Sequence, residues 1–143
     1  LHLNTTASNN TAVGYQAGYA NTTGSVTAVG FEAGKANTTG SASVALGSQA
    51  LLSNTTGNSN NAIGNATMYA NTTGSNNTAL GHLAMRFNTT ASNNTAVGYQ
   101  AGYANTTANN NTTVGYSSLK TNTTGADNNA FGANALQNNT MQM

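Results

Sequence analysis

The triplet Asn-Thr-Thr opens at Asn4, Asn21, Asn37, Asn54, Asn71, Asn88, Asn105 and Asn122, at spacings of 17, 16, 17, 17, 17, 17 and 17 residues. A ninth copy starts at Asn139-Thr140 and gives way to Met141-Gln142-Met143. The twenty residues Asn4 to Thr23 recur unchanged as Asn88 to Thr107. A short fixed period of this kind belongs to a solenoid in which every repeat is one coil against its neighbours. Seventeen residues are too few for a helical-hairpin repeat, and the Leu framework of leucine-rich repeats is missing. They suit two short strands and two turns. The expected architecture is therefore all-β, a parallel β-solenoid of about eight 17-residue coils forming one repeat domain over residues 1–143.

Each repeat holds one well-defined strand: Asn10 to Gly14, Val26 to Gly30, Ser43 to Gly47, Asn61 to Gly64, Asn77 to Gly81, Asn94 to Gly98, Thr112 to Gly115 and Asn129 to Gly132. Aligning them stacks Val13, Val29, Leu46, Ile63, Leu80, Val97, Val114 and Phe131. This column is expected to supply each coil's one branched apolar contribution to a thin core. At ~4.8 Å per coil the stack is a rod of roughly 38 Å. A second column, Ala17, Ala33, Ala50, Thr67, Ala84, Ala101, Ser118 and Ala135, is small throughout and implies close approach of two layers. A third mixes Gly18, Gly34 and Gly102 with Leu51, Met68, Met85, Leu119 and Leu136.

The glycines Gly14, Gly30, Gly47, Gly64, Gly81, Gly98, Gly115 and Gly132 form a column without exception. They read as a structural turn, through a positive φ or the approach of a neighbouring backbone. Asn-Thr-Thr reads as the other turn, since Asn tolerates the left-handed region and bonds its own backbone. Stacked Asn amides also form ladders between coils. The same triplet is an N-glycosylation sequon, which makes Asn4, Asn21, Asn37, Asn54, Asn71, Asn88, Asn105 and Asn122 candidate carriers of covalent glycan. Further sequons begin at Asn9, Asn65, Asn76, Asn93, Asn110, Asn111 and Asn138. Repeat two lacks one residue between Gly24 and Thr27, in the polar approach to its strand.

Composition removes most other functions. Asn and Thr, 26 and 25 of 143 residues, leave little else, and only three basic and two acidic side chains remain. A net charge of +1 offers no basic stripe for nucleic acid and no attachment to an acidic membrane surface. There is no Cys for a disulfide or thiolate site and no apolar run of membrane-spanning length. Glu32 and Asp127 stand six coils apart, ~29 Å at the usual strand spacing, so no carboxylate pair forms for glycosidase chemistry. His82 is about three coils from Asp127 and far from His2, which excludes a triad or a shared His metal site. No catalytic, cofactor or metal site is expected, and the chain reads as a non-enzyme. Adjacent Thr residues point to opposite faces of a strand, so Asn-Thr-Thr makes a poor ice-binding rank, and an ice-binding solenoid stays a minor alternative.

The unit Asn-Thr-Ala-Val-Gly-Tyr-Gln-Ala-Gly (Asn10 to Gly18) resembles the repeat of phage tail-fibre proteins. It is also similar to the head repeats of trimeric autotransporter adhesins, which carry a Ser-Val-Ala-Ile-Gly-like strand. The resemblance covers about Asn4 to Asn138. It implies a trimeric, left-handed parallel β-roll used outside the cell, on a cell surface or virion, as a rigid spacer or adhesin with a cell-surface glycan or protein receptor. Tyr15, Tyr19, Tyr99, Tyr103 and Tyr116 suit an interface between copies, with an apolar ring face and a wet hydroxyl. The partner expected first is the chain itself, as a homo-oligomer. The alternative is the subunit of an extracellular filament polymerised end to end, N-glycosylated along its length, with Leu1, Leu3, Met141 and Met143 as apolar joints.

Overall fold

The computed structural model describes residues 1–139; the ninth-repeat residues Thr140 to Met143 lie outside them. Eight strands, β1 (Thr11–Val13), β2 (Val26–Val29), β3 (Ser43–Leu46), β4 (Asn61–Ile63), β5 (Thr78–Leu80), β6 (Thr95–Val97), β7 (Thr112–Val114) and β8 (Asn129–Phe131), form one sheet in chain order. All pairs are parallel, and rungs join equivalent residues of successive repeats, such as Ala62 with Ala79 and Ile63 with Leu80. The fold is the expected β-solenoid. The residue missing from repeat two leaves the register intact, since Thr11 pairs Thr27 and Val13 pairs Val29.

Which strand face looks inward differs from expectation. Ala28, Ala45, Ala62, Ala79, Ala96 and Ala130 are buried, while the branched column points to solvent. Val13 is 58% exposed, Leu46 42%, Ile63 37%, Leu80 45% and Phe131 66%. Neighbouring residues of a strand face opposite ways, so Ala and Val cannot both enter the core. The opposite wall decides between them. Ala17, Ala33, Ala50, Thr67, Ala84, Ala101 and Ser118 lie there fully buried, as the small column predicts, and the gap between two such walls accepts a methyl group. A branched side chain in that gap would overpack it.

The opposite wall is not a second strand, contrary to the expectation of two strands per coil. It is a run of overlapping turns. In coil one, Ala17 N–H donates to Gly14 O at 3.3 Å, Tyr19 N–H to Gln16 O at 3.2 Å and Asn21 N–H to Gly18 O at 3.2 Å. Gln16 and Gly18 have φ of 53° and 57°, on either side of a right-handed Ala17. The intervening amides point along the rod: Gly18 N–H reaches Ala33 O and Ala20 N–H reaches Lys35 O, both at 2.9 Å. This wall is thus a backbone ladder without strand geometry.

The bulk of the core comes from the mixed third column. Leu51, Met68, Met85 and Leu119 are at most 1% exposed, with φ between 48° and 50°. A left-handed non-Gly residue costs roughly 1–2 kcal/mol. Burying a Leu or Met returns about 1.5–3 kcal/mol, so the strained position holds. Where the column has Gly, a neighbouring coil supplies the bulk. A Cβ on Gly18 would stand 3.7 Å from the buried Val26 of the next coil, and one on Gly102 would stand 3.4 Å from Met85 of the preceding coil.

The invariant Gly column serves both roles expected of it. Gly98 has φ of 133°, and a Cβ there would sit 2.5 Å from Gly115 O. Replacing Gly98 by Ala therefore meets both a forbidden backbone conformation and a neighbouring carbonyl. We expect Gly98→Ala to cost at least about 1–3 kcal/mol in chemical denaturation. A Cβ on Gly74 would run into Ala91 O, but φ there is not positive and the equivalent positions accommodate the buried Ala91 and Ala108 by a shift of the turn, so Gly74→Ala is expected to cost less.

Candidate functional site

The Asn of each Asn-Thr-Thr lies inside the rod. Asn21, Asn37, Asn54, Asn71, Asn88, Asn105 and Asn122 are at most 2% exposed. Each Nδ2 donates to the carbonyl three residues on, for example Asn71 to Gly74 O at 3.0 Å. It also donates to the Oδ1 of the preceding coil's Asn: Asn37 to Asn21 at 2.7 Å, Asn54 to Asn37 at 2.8 Å, Asn71 to Asn54 at 2.8 Å, Asn88 to Asn71 at 2.7 Å and Asn105 to Asn88 at 3.1 Å. The ladder stops at Asn105, whose buried Oδ1 has no partner.

A glycan joined to Nδ2 would have to replace one of these hydrogens inside a packed coil. The geometry therefore corrects the reading of Asn21, Asn37, Asn54, Asn71, Asn88, Asn105 and Asn122 as sugar carriers in the folded rod. Asn4, in the first coil, is exposed and differs from them. The first Thr of the triplet belongs to the same scaffold, with Thr38 Oγ1 donating to Thr55 O and Thr89 Oγ1 to Thr106 O, both at 3.0 Å. The second Thr faces solvent.

A second buried ladder was not anticipated. Asn60, Asn77, Asn94 and Asn111 lie just before their strands, at most 3% exposed. Asn60 Oδ1 receives both Asn77 N–H and Asn77 Nδ2 at 3.1 Å, and Asn94 repeats the arrangement on Asn77. The available signal was Asn at this position in six of eight repeats: Asn10, Asn60, Asn77, Asn94, Asn111 and Asn128.

The outer face of the sheet is the broadest unpartnered surface. Beside the branched column runs a hydroxyl rank, Thr11, Thr27, Thr78, Thr95 and Thr112, broken by Val44, Asn61 and Asn129. Those interruptions leave no unbroken lattice for ice. Past the glycine turn lies an aromatic row. Tyr15 stacks on Phe31 at 5.5 Å and Tyr99 on Tyr116 at 5.2 Å, with His82 tilted against Tyr99 at 5.7 Å. None of the eight strands holds a charged residue.

The charges lie elsewhere and serve structure. Lys35 Nζ bonds Glu32 Oε1 at 2.7 Å, and Gln49 Nε2 donates to Glu32 Oε2 at 3.2 Å. The bond from Lys35, then that from Gln49, holds the Glu32 carboxyl below its ordinary range. Arg86 lies 5.0 Å over the Tyr69 ring. Among the described residues, no group of three His, Cys, Asp or Glu side chains is placed to hold a metal ion. No family model matches the chain, and comparison with curated proteins and with solved structures gives no match.

Replacing Asn71 by Ala leaves Asn54 Oδ1 buried without a donor and removes one of the two acceptors of Asn88 Nδ2. We expect a loss of about 1–3 kcal/mol in denaturant midpoint experiments. Asn76→Asp, which puts at an exposed left-handed position the residue type of Asp127 in the same column, is expected to change stability by less than about 0.5 kcal/mol.

Proposed function

We propose that the chain is a structural rod, a segment of an extracellular fibre or adhesin, in which copies pack side by side through the outer face of the sheet. One observation carries the reading: an apolar column of eight residues, five exposed and three half-buried, runs along the outside of every coil on strands without charge. Soluble monomers seldom expose a long continuous apolar patch.

The patch is large enough to matter. The strands and the adjoining aromatic row cover about 34 Å by 15 Å, from seven coil spacings and five residues per coil. That is roughly 500 Å² per copy. Two such faces together reach the ~1,000 Å² at which a specific interface becomes credible. A trimer, the state that the resemblance to adhesin heads implies, pairs two different patches at each interface, so each copy would set this face against a second surface of its neighbour. The extracellular setting rests on the same resemblance. The rest of the molecule suits a spacer, since its hydrogen bonds run along the rod axis from coil to coil.

Light scattering during size exclusion tests the packing. The native chain is expected to elute as an oligomer of its 14.3 kDa unit. Ile63→Lys combined with Leu80→Lys is expected to give a monomer with an unchanged far-ultraviolet spectrum. A native chain that remains monomeric at tens of micromolar defeats the proposal. Electron micrographs showing fibrils that grow end to end would replace it with the polymeric filament.

A further inference from the structure

The fold sorts the sequons into buried and open ones, and one open sequon stands apart. Asn9, Asn76, Asn93 and Asn110 occupy one exposed column at φ of 59–61°, with Thr11, Thr78, Thr95 and Thr112 two residues on. Two of these amides are engaged: Asn110 Nδ2 donates to Asp127 Oδ1 at 3.0 Å and Asn93 Nδ2 to Asn110 Oδ1 at 3.4 Å. The amides of Asn9 and Asn76 have no hydrogen bond among the described residues.

Asn9 has a second distinction. Its column runs Asn9, Ala42, Ser59, Asn76, Asn93, Asn110 and Asp127, with no member from coil two. The residue missing from repeat two is the one that would have covered Asn9. Its absence leaves a groove of about 290 Å³, lined by Asn9, Ser25, Thr27, Ala42 and Ser43 among others. That is close to the lower end of small-ligand clefts, ~300 Å³. Glycans on two successive coils of the column would stand only ~4.8 Å apart and crowd each other; at Asn9 the neighbouring position is vacant.

We propose that Asn9 is a site of N-glycosylation whose first sugar seats in this groove, and that Asn76 is the next site along the column. The donor class is a sugar joined to a lipid pyrophosphate, used by a transferase that reads Asn-X-Thr. Nδ2 attacks the anomeric carbon, the bond from that carbon to the pyrophosphate oxygen breaks, and the lipid pyrophosphate leaves with the electron pair. The amide gives up one proton to a base on the transferase. Ser25, whose Oγ accepts from Ala42 N–H at 3.1 Å, and Thr27 line the groove. Such transfer occurs on the outward side of a membrane, so the proposal rests on the extracellular half of the proposed function.

Glycopeptide mass spectrometry on the full chain, purified from the cells or particles that make it, tests the assignment. The expected result is glycan at Asn9 and Asn76 and none at Asn21, Asn37, Asn54, Asn71, Asn88, Asn105 or Asn122. Asn9→Gln is then expected to remove one glycan mass and leave the denaturation midpoint unchanged. A bare intact mass near 14.3 kDa, a map with Asn9 unoccupied, or sugar on any buried ladder Asn overturns the proposal. Labelling intact cells or particles with an amine reagent that does not cross membranes, read at Lys35 and Lys120, separates the two ideas. A labelled but bare chain overturns only the glycan, and an unlabelled chain overturns the extracellular reading.

Discussion

A coil whose strand and opposite wall are separated by little more than a methyl group, with one Leu or Met at most beside them, must be held together along the rod axis. The buried Asn amides are the interaction that the rest of the structure depends on. Each Nδ2 in the run from Asn37 to Asn105 closes its own turn onto the carbonyl three residues on and fastens the coil to the preceding Asn. A typical protein hydrogen bond adds only about 0.5–1.5 kcal/mol net, while a buried group left unpaired costs about 1–3 kcal/mol. The ladder therefore works chiefly by specification. Any shift of one coil against the next strands several buried amides at once, so stacking in register is the arrangement in which they are all met. The same logic explains the absence of a large core: apolar burial per coil is small, and register does not depend on it.

Interactions of this kind make stability nearly one-dimensional. Coils touch only their neighbours through strand rungs, the turn-wall ladder and two amide columns, so a local change is felt one coil away. The third column shows how that tolerance is used. Gly18 lies against Val26 of the following coil and Gly102 against Met85 of the preceding one, so volume lost in one coil is restored by a neighbour. Sequence variation survives at that column because the packing unit is a pair of coils.

Much of this was legible from the repeat. The period set the coil, the unvarying Gly column marked the turn where backbones meet, and the small column at Ala17 to Ala135 announced two close walls. The direction of the branched column was not legible. Ala12 and Val13 are adjacent, and either parity is consistent with a strand in isolation. The distance to the opposite wall decides, and that wall is made of turns whose left-handed residues, such as Gln49 and Leu51, leave little trace in residue type. The Asn-Thr-Thr column was equally ambiguous, because a buried amide ladder and a row of sugar sites select the same residues. Burial separates them. The second Asn column was present in the alignment but hidden by its place at the start of a strand, where an Asn passes for a turn residue.

The outcome is a rod with its polarity partly inverted, amides inside and branched apolar side chains outside. The inversion has a physical basis. Amides in a narrow interior can be saturated by equivalent amides one coil spacing away, which an irregular fold could seldom arrange. Branched side chains at the Val13 position cannot fit between the two close walls and are displayed. Display repeats with the coil, so Ile63, Leu80 and their equivalents form a straight ridge whose spacing matches that of any other copy of the chain. The device that makes the isolated coil viable is thus the one that leaves it with an uncovered apolar face, and the proposed side-by-side packing rests on that face.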